Sequence, residues 1–171
     1  LEMTRDLALK LNHAFGADLV KLPETLLIEA SSVVPGLNGQ KMSKSYGNTL
    51  EIFAPETELR RRVMGITTDS AAVEAPKPEP SPLLALLELL CEPAEAAEHR
   101  RTWRAGGIGY GVYKRCLFER VLGFFAEARS RRAEFIAEPS AIERSLAQGA
   151  ERARAVAAPV WRRIQPAAGS A

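Results

Sequence analysis

The residues best suited to chemistry lie in one pentapeptide, Lys41-Met42-Ser43-Lys44-Ser45. Two lysines stand three apart with two serines beside them, and no acid occurs between Val33 and Leu50. The result is a compact cluster of positive charge and hydroxyl donors. Pro35, Gly36, Asn38, Gly39 and Gly47 around it disfavour regular structure. A cationic, donor-rich loop suits a polyphosphate leaving group, because lysine acts as a point charge on phosphate oxygens. Its contribution grows as charge builds in a transition state. An arbitrary K-x-x-K loop reads as a solvated turn. The full pentapeptide is expected by chance in a chain of this length with odds on the order of 10⁻⁴, so it carries information that a bare lysine pair does not.

The elements around the loop can be read from periodicity and punctuation. Met3, Leu7, Leu11 and Phe15 recur every four residues and describe one face of a helix that stops at Gly16. The chain begins at Leu1 within that pattern, so it reads as a piece of a longer protein. Leu19-Val20 and Ser32-Val33-Val34, bounded by Pro23 and Pro35, fit strand ends. Leu26 to Glu29 fits a third strand or a helical turn equally. After the loop, Pro55-Glu56-Thr57-Glu58 opens a helix through Met64 that ends by Gly65. Pro76, Pro78, Pro80 and Pro82 make residues 71–82 a linker.

Beyond the linker the pattern is helical throughout. Leu83 to Cys91 and Ala94 to Ala105 form two short helices, and Gly106-Gly107-Ile108-Gly109 breaks the chain. One long helix follows, with Tyr113, Leu117, Val121, Phe124, Ala128 and Phe135 on one face, ending at Pro139. Ser140-Ala141-Ile142-Glu143 has the form of a capping box before an apolar stripe at Ile142, Leu146, Ala150, Ala153 and Ile164. Pro159 should kink or split that last helix. The glycines at 106, 107, 109 and 111 do not read as a phosphate loop, because such a loop follows a strand. A tight turn between helices fits them better.

Composition sets the outer bounds. The 171 residues are 46% hydrophobic and 26% charged, the balance of a globular protein, and no apolar run is long enough to span a membrane. Cys91 and Cys116 lack a C-x-x-C partner and read as buried, reduced thiols rather than bridged or metal-bound ones, as in a cytoplasmic protein. No acidic cluster argues for a metal held by the protein. Net charge is only +2, yet residues 1–99 carry −6 and residues 100–171 carry +8, with 13 arginines among the 14 basic residues of the second part. That asymmetry fits a polyanionic partner, or a solvated arginine-rich helical surface, equally well.

KMSKS is the signature loop of the class I aminoacyl-tRNA synthetases, and the chain resembles the bacterial tryptophanyl-tRNA synthetases among them. The resemblance rests on Gly36-Leu37-Asn38-Gly39-Gln40 before KMSKS and Tyr46-Gly47-Asn48-Thr49 after it. It continues through Val63-Met64, Thr67-Thr68-Asp69-Ser70, Gly109-Tyr110-Gly111-Val112-Tyr113-Lys114 and Glu151-Arg152-Ala153-Arg154-Ala155-Val156-Ala157. The opening Leu1-Glu2-Met3-Thr4-Arg5-Asp6-Leu7-Ala8 resembles the helix that follows the family's D-Q-x-x-H segment. The tyrosyl enzymes do not share the Gly-Tyr-Gly-x-x-Lys segment.

The resemblance implies an α/β fold, the C-terminal remnant of a Rossmann-like nucleotide-binding domain over residues 1–70. The linker 71–82 and a helical tRNA-binding domain over 83–171 complete the expected order. The family's HIGH-type motif belongs upstream of everything here, and His13-Ala14-Phe15-Gly16 is a chance match, with Phe15 in the core and His13 on the surface.

The implied reaction is ATP-dependent activation of tryptophan and transfer to tRNA(Trp). The implied partners are ATP, Mg²⁺ bound through the nucleotide, tryptophan and tRNA, in a full-length homodimer without a membrane. By resemblance Lys41 and Lys44 hold the leaving pyrophosphate, and Ser43 and Ser45 donate to phosphate or pin the loop. Met42 docks the loop on an apolar surface, and the backbone near Ser32 meets the adenine edge. Tyr110, Tyr113 and Lys114, and the arginine-flanked Trp103 and Trp161, are open to RNA contact or to packing; packing is the commoner state of tryptophan. The alternatives are a helical RNA-binding module with a relic loop, or another class I synthetase such as the tyrosyl enzyme. As given, without its upstream half, the chain is expected to be inactive alone.

Overall fold

The structure is a computed structural model that describes residues 1–16, 18–26, 33–167 and 169. It is mostly helical and divides into two compact units, one of residues 1–29 with 134–171 and one of residues 30–133. Among the described residues there is no β-strand, only an isolated antiparallel bridge between Pro35 and Lys41. The expected strand ends at Leu19-Val20 and Val33-Val34 are irregular. Each is two residues long, and a strand without neighbours has nowhere to place its backbone hydrogen bonds. Ser32 and most of the Leu26–Glu29 segment lie outside the described residues.

The unit of residues 30–133 contains the core. Helix α2 (Glu56–Met64), α3 (Pro82–Glu88), α4 (Pro93–Ala105) and α5 (Tyr110–Phe124) surround it. α5 packs on α2 and α3, and α3 packs on α4. The buried set is Leu59, Val63 and Ile66 from α2 and its exit, Leu83, Leu84, Leu86 and Leu87 from α3, Trp103 from α4, and Tyr113, Leu117 and Val121 from α5. The four-residue steps of α5 that face this core are those the sequence indicates, Tyr113, Leu117 and Val121. The expected single long helix instead breaks at Phe125, after Gly123 (φ −99°, ψ 12° at Phe125). α6 (Ala126–Ala137) follows as a separate helix. Phe124 is exposed as a result.

The expected linker is packed. Lys77 is buried, its N–H donates to the Trp103 carbonyl at 3.0 Å, and its ammonium donates to the carbonyls of Ala72, Val73 and Ala75 at 2.8–3.0 Å. The Trp103 indole N–H donates to the Pro78 carbonyl at 3.1 Å. Gly106, at φ 79°, lies against this stretch, and a Cβ there would stand 2.2 Å from the Glu74 carbonyl oxygen. The prolines hold the segment in one course across α4, where three ammonium hydrogen bonds offset the burial of a charge. The compact unit therefore includes α2 together with α3, α4 and α5.

The other unit holds α1 (Glu2–Phe15), the segment 18–26 and α7 (Pro139–Ala167). The Asn12 side chain donates to the Val20 carbonyl at 2.9 Å and accepts from its N–H at 3.0 Å, pinning the segment to α1. The expected face of α1 forms, but Met3, Leu7 and Phe15 are exposed, and Ala8 is the buried position of the helix. α7 starts one residue before the expected cap. Pro139 opens it, Ser140 Oγ donates to the Glu138 carboxylate and accepts from Arg144, and no capping box forms. A proline in the first turn fits because it lacks only an N–H that would be unpaired there. α7 continues through Pro159, so the proline does not split the helix, although its ring removes one N–H donor from the ladder.

Candidate functional site

The pentapeptide sits in a loop whose two arms are tied together by one buried side chain. Met42 N–H donates to the Val34 carbonyl at 2.9 Å, and Gly36 N–H donates to the Gln40 carbonyl at 2.6 Å. Asn48 is only 4% exposed. Its Oδ1 accepts from Ser43 N–H at 2.8 Å, and its Nδ2 donates to Asn38 Oδ1 at 2.8 Å and to the Lys41 carbonyl at 3.2 Å. Its own carbonyl accepts from Leu37 N–H at 3.0 Å. Every polar atom of the amide is used, which is the condition for burying it. Gly36 makes room for it, since a Cβ at 36 would lie 2.2 Å from Asn48 Nδ2.

Lys44–Tyr46 form one 3₁₀ turn closed by Gly47. The Gly47 carbonyl accepts from Arg62 Nη1 at 2.9 Å, and Arg62 is itself held by Glu58 at 3.3 Å on the same helix. Helix α2 thus fixes the exit of the loop. Its entrance is fixed where Thr67 N–H donates to the Leu37 carbonyl at 3.2 Å.

Within this frame Lys41, Lys44 and Ser45 are exposed and Ser43 is half-buried. Among the described residues neither lysine has an ion-pair partner, so both charges face solvent uncompensated. The Ser43 and Ser45 hydroxyls bond to one another at 2.8 Å. Met42 is half-buried and packs against the core cluster. Met42 and Lys44 line an open cleft of about 500 Å³ with residues 49–54 and Arg132. The Arg132 guanidinium lies 5.5 Å from the centre of the Phe53 ring, a cation–π distance. Lys41 sits apart from that lining, in the bridge to Pro35. The remaining expected position, Ser32, lies outside the described residues.

Asn48, Arg62 and Arg132 are additions to the expected set. Asn48 carries a sequence signal only as part of a turn-rich stretch. Arg62 and Arg132 carry none, because their roles depend on contacts 15 and more residues away.

The aromatic segment after the glycines is committed to structure. Tyr113 is buried and its hydroxyl donates to Thr102 Oγ1 at 3.0 Å. Lys114 Nζ donates to the Met64 and Ile66 carbonyls at 2.9 and 2.8 Å, at the C-terminal end of α2, and burial lowers its pKa. The Tyr110 hydroxyl donates to Asp69, and burial together with that carboxylate pushes the phenol well above its usual range. Trp103 is fully buried, edge-on to Tyr110 and Tyr113 at 5.5 and 4.9 Å, whereas Trp161 is 59% exposed.

A loop of this composition can place one or two lysines and two hydroxyls on a polyanion. Among curated proteins, the tryptophan–tRNA ligase of Rhodopirellula baltica is 43% identical over 161 residues, 94% of this chain and 50% of that protein. The tryptophan–tRNA ligase of Xanthomonas axonopodis pv. citri is 42% identical over 171 residues, 99% of this chain and 39% of that protein. The chain thus spans about half the length or less of these relatives. Among solved structures, tryptophanyl-tRNA synthetase from Campylobacter jejuni complexed with ADP and tryptophan superposes with a TM-score of 0.83 at 37% identity, covering 98% of this chain and 53% of that one. The family tRNA synthetases class I (W and Y) matches residues 1–104, more than half of the chain, and the chain belongs to that family.

Proposed function

We propose that this chain forms the KMSKS-bearing and helical portion of a tryptophan–tRNA ligase. The whole protein activates tryptophan with ATP to tryptophanyl-adenylate and transfers it to tRNA(Trp). The observation that carries the reading is the intact KMSKS loop, clamped by Asn48, in a chain about 40% identical to tryptophan–tRNA ligases over nearly all its length. Residues 1–70 belong to a Rossmann-like nucleotide-binding domain, residues 83–171 form the tRNA-binding helices, and residues 71–82 join them. The protein works in the cytoplasm as a homodimer.

In the reaction, the tryptophan carboxylate attacks the α-phosphate of ATP and pyrophosphate leaves. Little covalent chemistry falls to the enzyme, so positioning and charge stabilisation dominate. Lys44, exposed at the head of the 3₁₀ turn, and Lys41, exposed at the bridge, meet the negative charge that gathers on the departing pyrophosphate. Ser43 and Ser45 present hydroxyl donors between them. Met42, packed on the core, anchors the loop from below. Mg²⁺ is carried by the nucleotide's own oxygens, which suits a lysine loop without acids from Val33 to Leu50.

The test is Lys44→Ala in the full-length protein, read by tryptophan-dependent pyrophosphate exchange beside tryptophan affinity. A donor that acts mainly on the transition state costs on the order of 10²–10³ in rate when removed. Tryptophan affinity should stay near wild type. Equal losses in both would make Lys44 a general structural residue and remove the assignment.

A further inference from the structure

Outside the loop, one cluster of metal-binding side chains among the described residues remains without a role. Glu95 and His99 stand one turn apart on α4, and Cys91 stands one step of four residues ahead of Glu95. The ligand atoms of these three lie within 4.8 Å of one another. His99 Nε2 is 4.0 Å from Glu95 Oε1. From α5, Cys116 brings its Sγ to 3.9 Å from the same Nε2. All four residues are half-buried.

We propose that Cys91, Glu95, His99 and Cys116 form a structural zinc site that ties α4 to α5. Two thiolates and an imidazole select Zn²⁺ over hard cations such as Mg²⁺. Tetrahedral bonds of about 2.0 Å to nitrogen or oxygen and about 2.3 Å to sulfur place neighbouring donor atoms roughly 3.3–3.8 Å apart. The observed separations, 3.9 and 4.0 Å at His99 Nε2 and up to 4.8 Å among Cys91, Glu95 and His99, therefore need a contraction of about 0.4–1.5 Å, within the reach of side-chain rotation. Each thiol loses its proton to solvent as its sulfur binds the ion. Two thiolates and one carboxylate exceed the zinc charge by one, and Arg120, ion-paired with Glu95, supplies the balancing cation. The carboxylate has two oxygens and can serve both. The joined helices are those that carry Trp103 and Tyr113, so the ion would brace the centre of the core from its edge.

The test uses the full 171-residue chain, reduced and stripped of metal, titrated with Co²⁺ as a spectroscopic probe and with Zn²⁺. One equivalent of Co²⁺ should give thiolate-to-cobalt charge transfer and the visible bands of a tetrahedral ion, and Zn²⁺ should displace it. Cys91→Ser and Cys116→Ser should each weaken the charge-transfer band and lower zinc affinity by about 10–100-fold or more. Circular dichroism checks that the variants fold. If they do not, alkylation of the unsubstituted chain replaces them, and one equivalent of Zn²⁺ should protect both thiols. No charge-transfer band at one equivalent, unchanged zinc affinity in the cysteine variants, or alkylation indifferent to Zn²⁺ would each overturn the site.

Discussion

Asn48 gathers more of the loop's geometry than either lysine does. Its amide joins Ser43, Asn38 and Lys41, three points on both arms of the loop. Asn48→Ala takes the partner from the Ser43 N–H and from the Lys41 carbonyl, while Asn38 Oδ1 keeps the Gln40 N–H, and a buried group left unpaired costs about 1–3 kcal/mol. We expect a lower melting temperature and a fall in pyrophosphate exchange, with tryptophan affinity retained. Asn48→Asp should be no better, because a carboxylate can accept from Ser43 N–H but cannot donate to Asn38 Oδ1 or the Lys41 carbonyl. A variant with native exchange and native stability would show that the clamp is dispensable. The types and order of the loop residues are legible in the sequence, since lysine, serine and glycine declare their chemistry locally. The burial of Asn48 is not, because an asparagine beside a glycine reads as an ordinary exposed turn residue.

At the scale of elements, α5 is the post on which α2 and α3 meet, and α2 comes from before the proline stretch. Leu59 is fully buried in that contact. Leu59→Ala should destabilise the unit by about 2–5 kcal/mol, measured by urea unfolding. The same packing predicts that a chain starting at Leu83 unfolds with less cooperativity than one starting at Val33, because it lacks Leu59, Val63 and Ile66.

The link between Asp69 and Tyr110 joins the α2 exit to α5 and is pH-sensitive. The Tyr110 hydroxyl, then the Ala71 N–H, holds the Asp69 carboxyl below its ordinary value. A depressed carboxylate stabilises the fold above its unfolded pKa, about 3.9, and that stability is lost as pH falls through the lower folded value. The gap in urea midpoint between wild type and Asp69→Asn should therefore be widest above about pH 4 and close below it. A gap constant with pH would mean that the charge contributes nothing. Most helices are legible because apolar residues recur at helical spacing. The break after Phe124 is not, because the apolar face continues through it in sequence. Nor is the packed course of residues 71–82, since prolines announce rigidity without announcing what they lie against. The cysteine pair is equally hidden. The proposed ligands are spaced as C-x₃-E-x₃-H with the second sulfur on another helix, unlike the paired C-x₂-C and H-x₃₋₅-H spacings that announce a zinc site in sequence.

At the scale of the whole molecule, the +8 balance of residues 100–171 overstates the charge that a nucleic acid would meet. Among the described residues at least six of its 13 arginines are engaged by carboxylates: Arg100 by Glu88, Arg101 by Glu98, Arg104 by Glu79, Arg120 by Glu95, Arg131 by Glu127 and Arg144 by Glu138. Four of the acids, Glu79, Glu88, Glu95 and Glu98, pair with arginines from the basic part although they lie in the acidic part, so the two halves of the sequence partly cancel once folded. Arg152 and Arg154 on α7 are different. Both are exposed, and among the described residues neither has an ion-pair partner. If the helical portion binds tRNA as proposed, its phosphate contacts should come disproportionately from such uncompensated arginines. Each contact releases counterions and adds roughly 0.7–0.9 to the slope of log affinity against log salt. Arg152→Ala with Arg154→Ala in the full-length protein should therefore weaken tRNA binding and flatten the slope by about 1 for each phosphate that is no longer neutralised. Arg101→Ala should change the slope little, because Glu98 already neutralises that side chain. Filter binding across a salt series separates the two. Equal slopes for all three proteins would show that the arginines of α7 are a solvated surface and that the asymmetry of the sequence has no bearing on RNA.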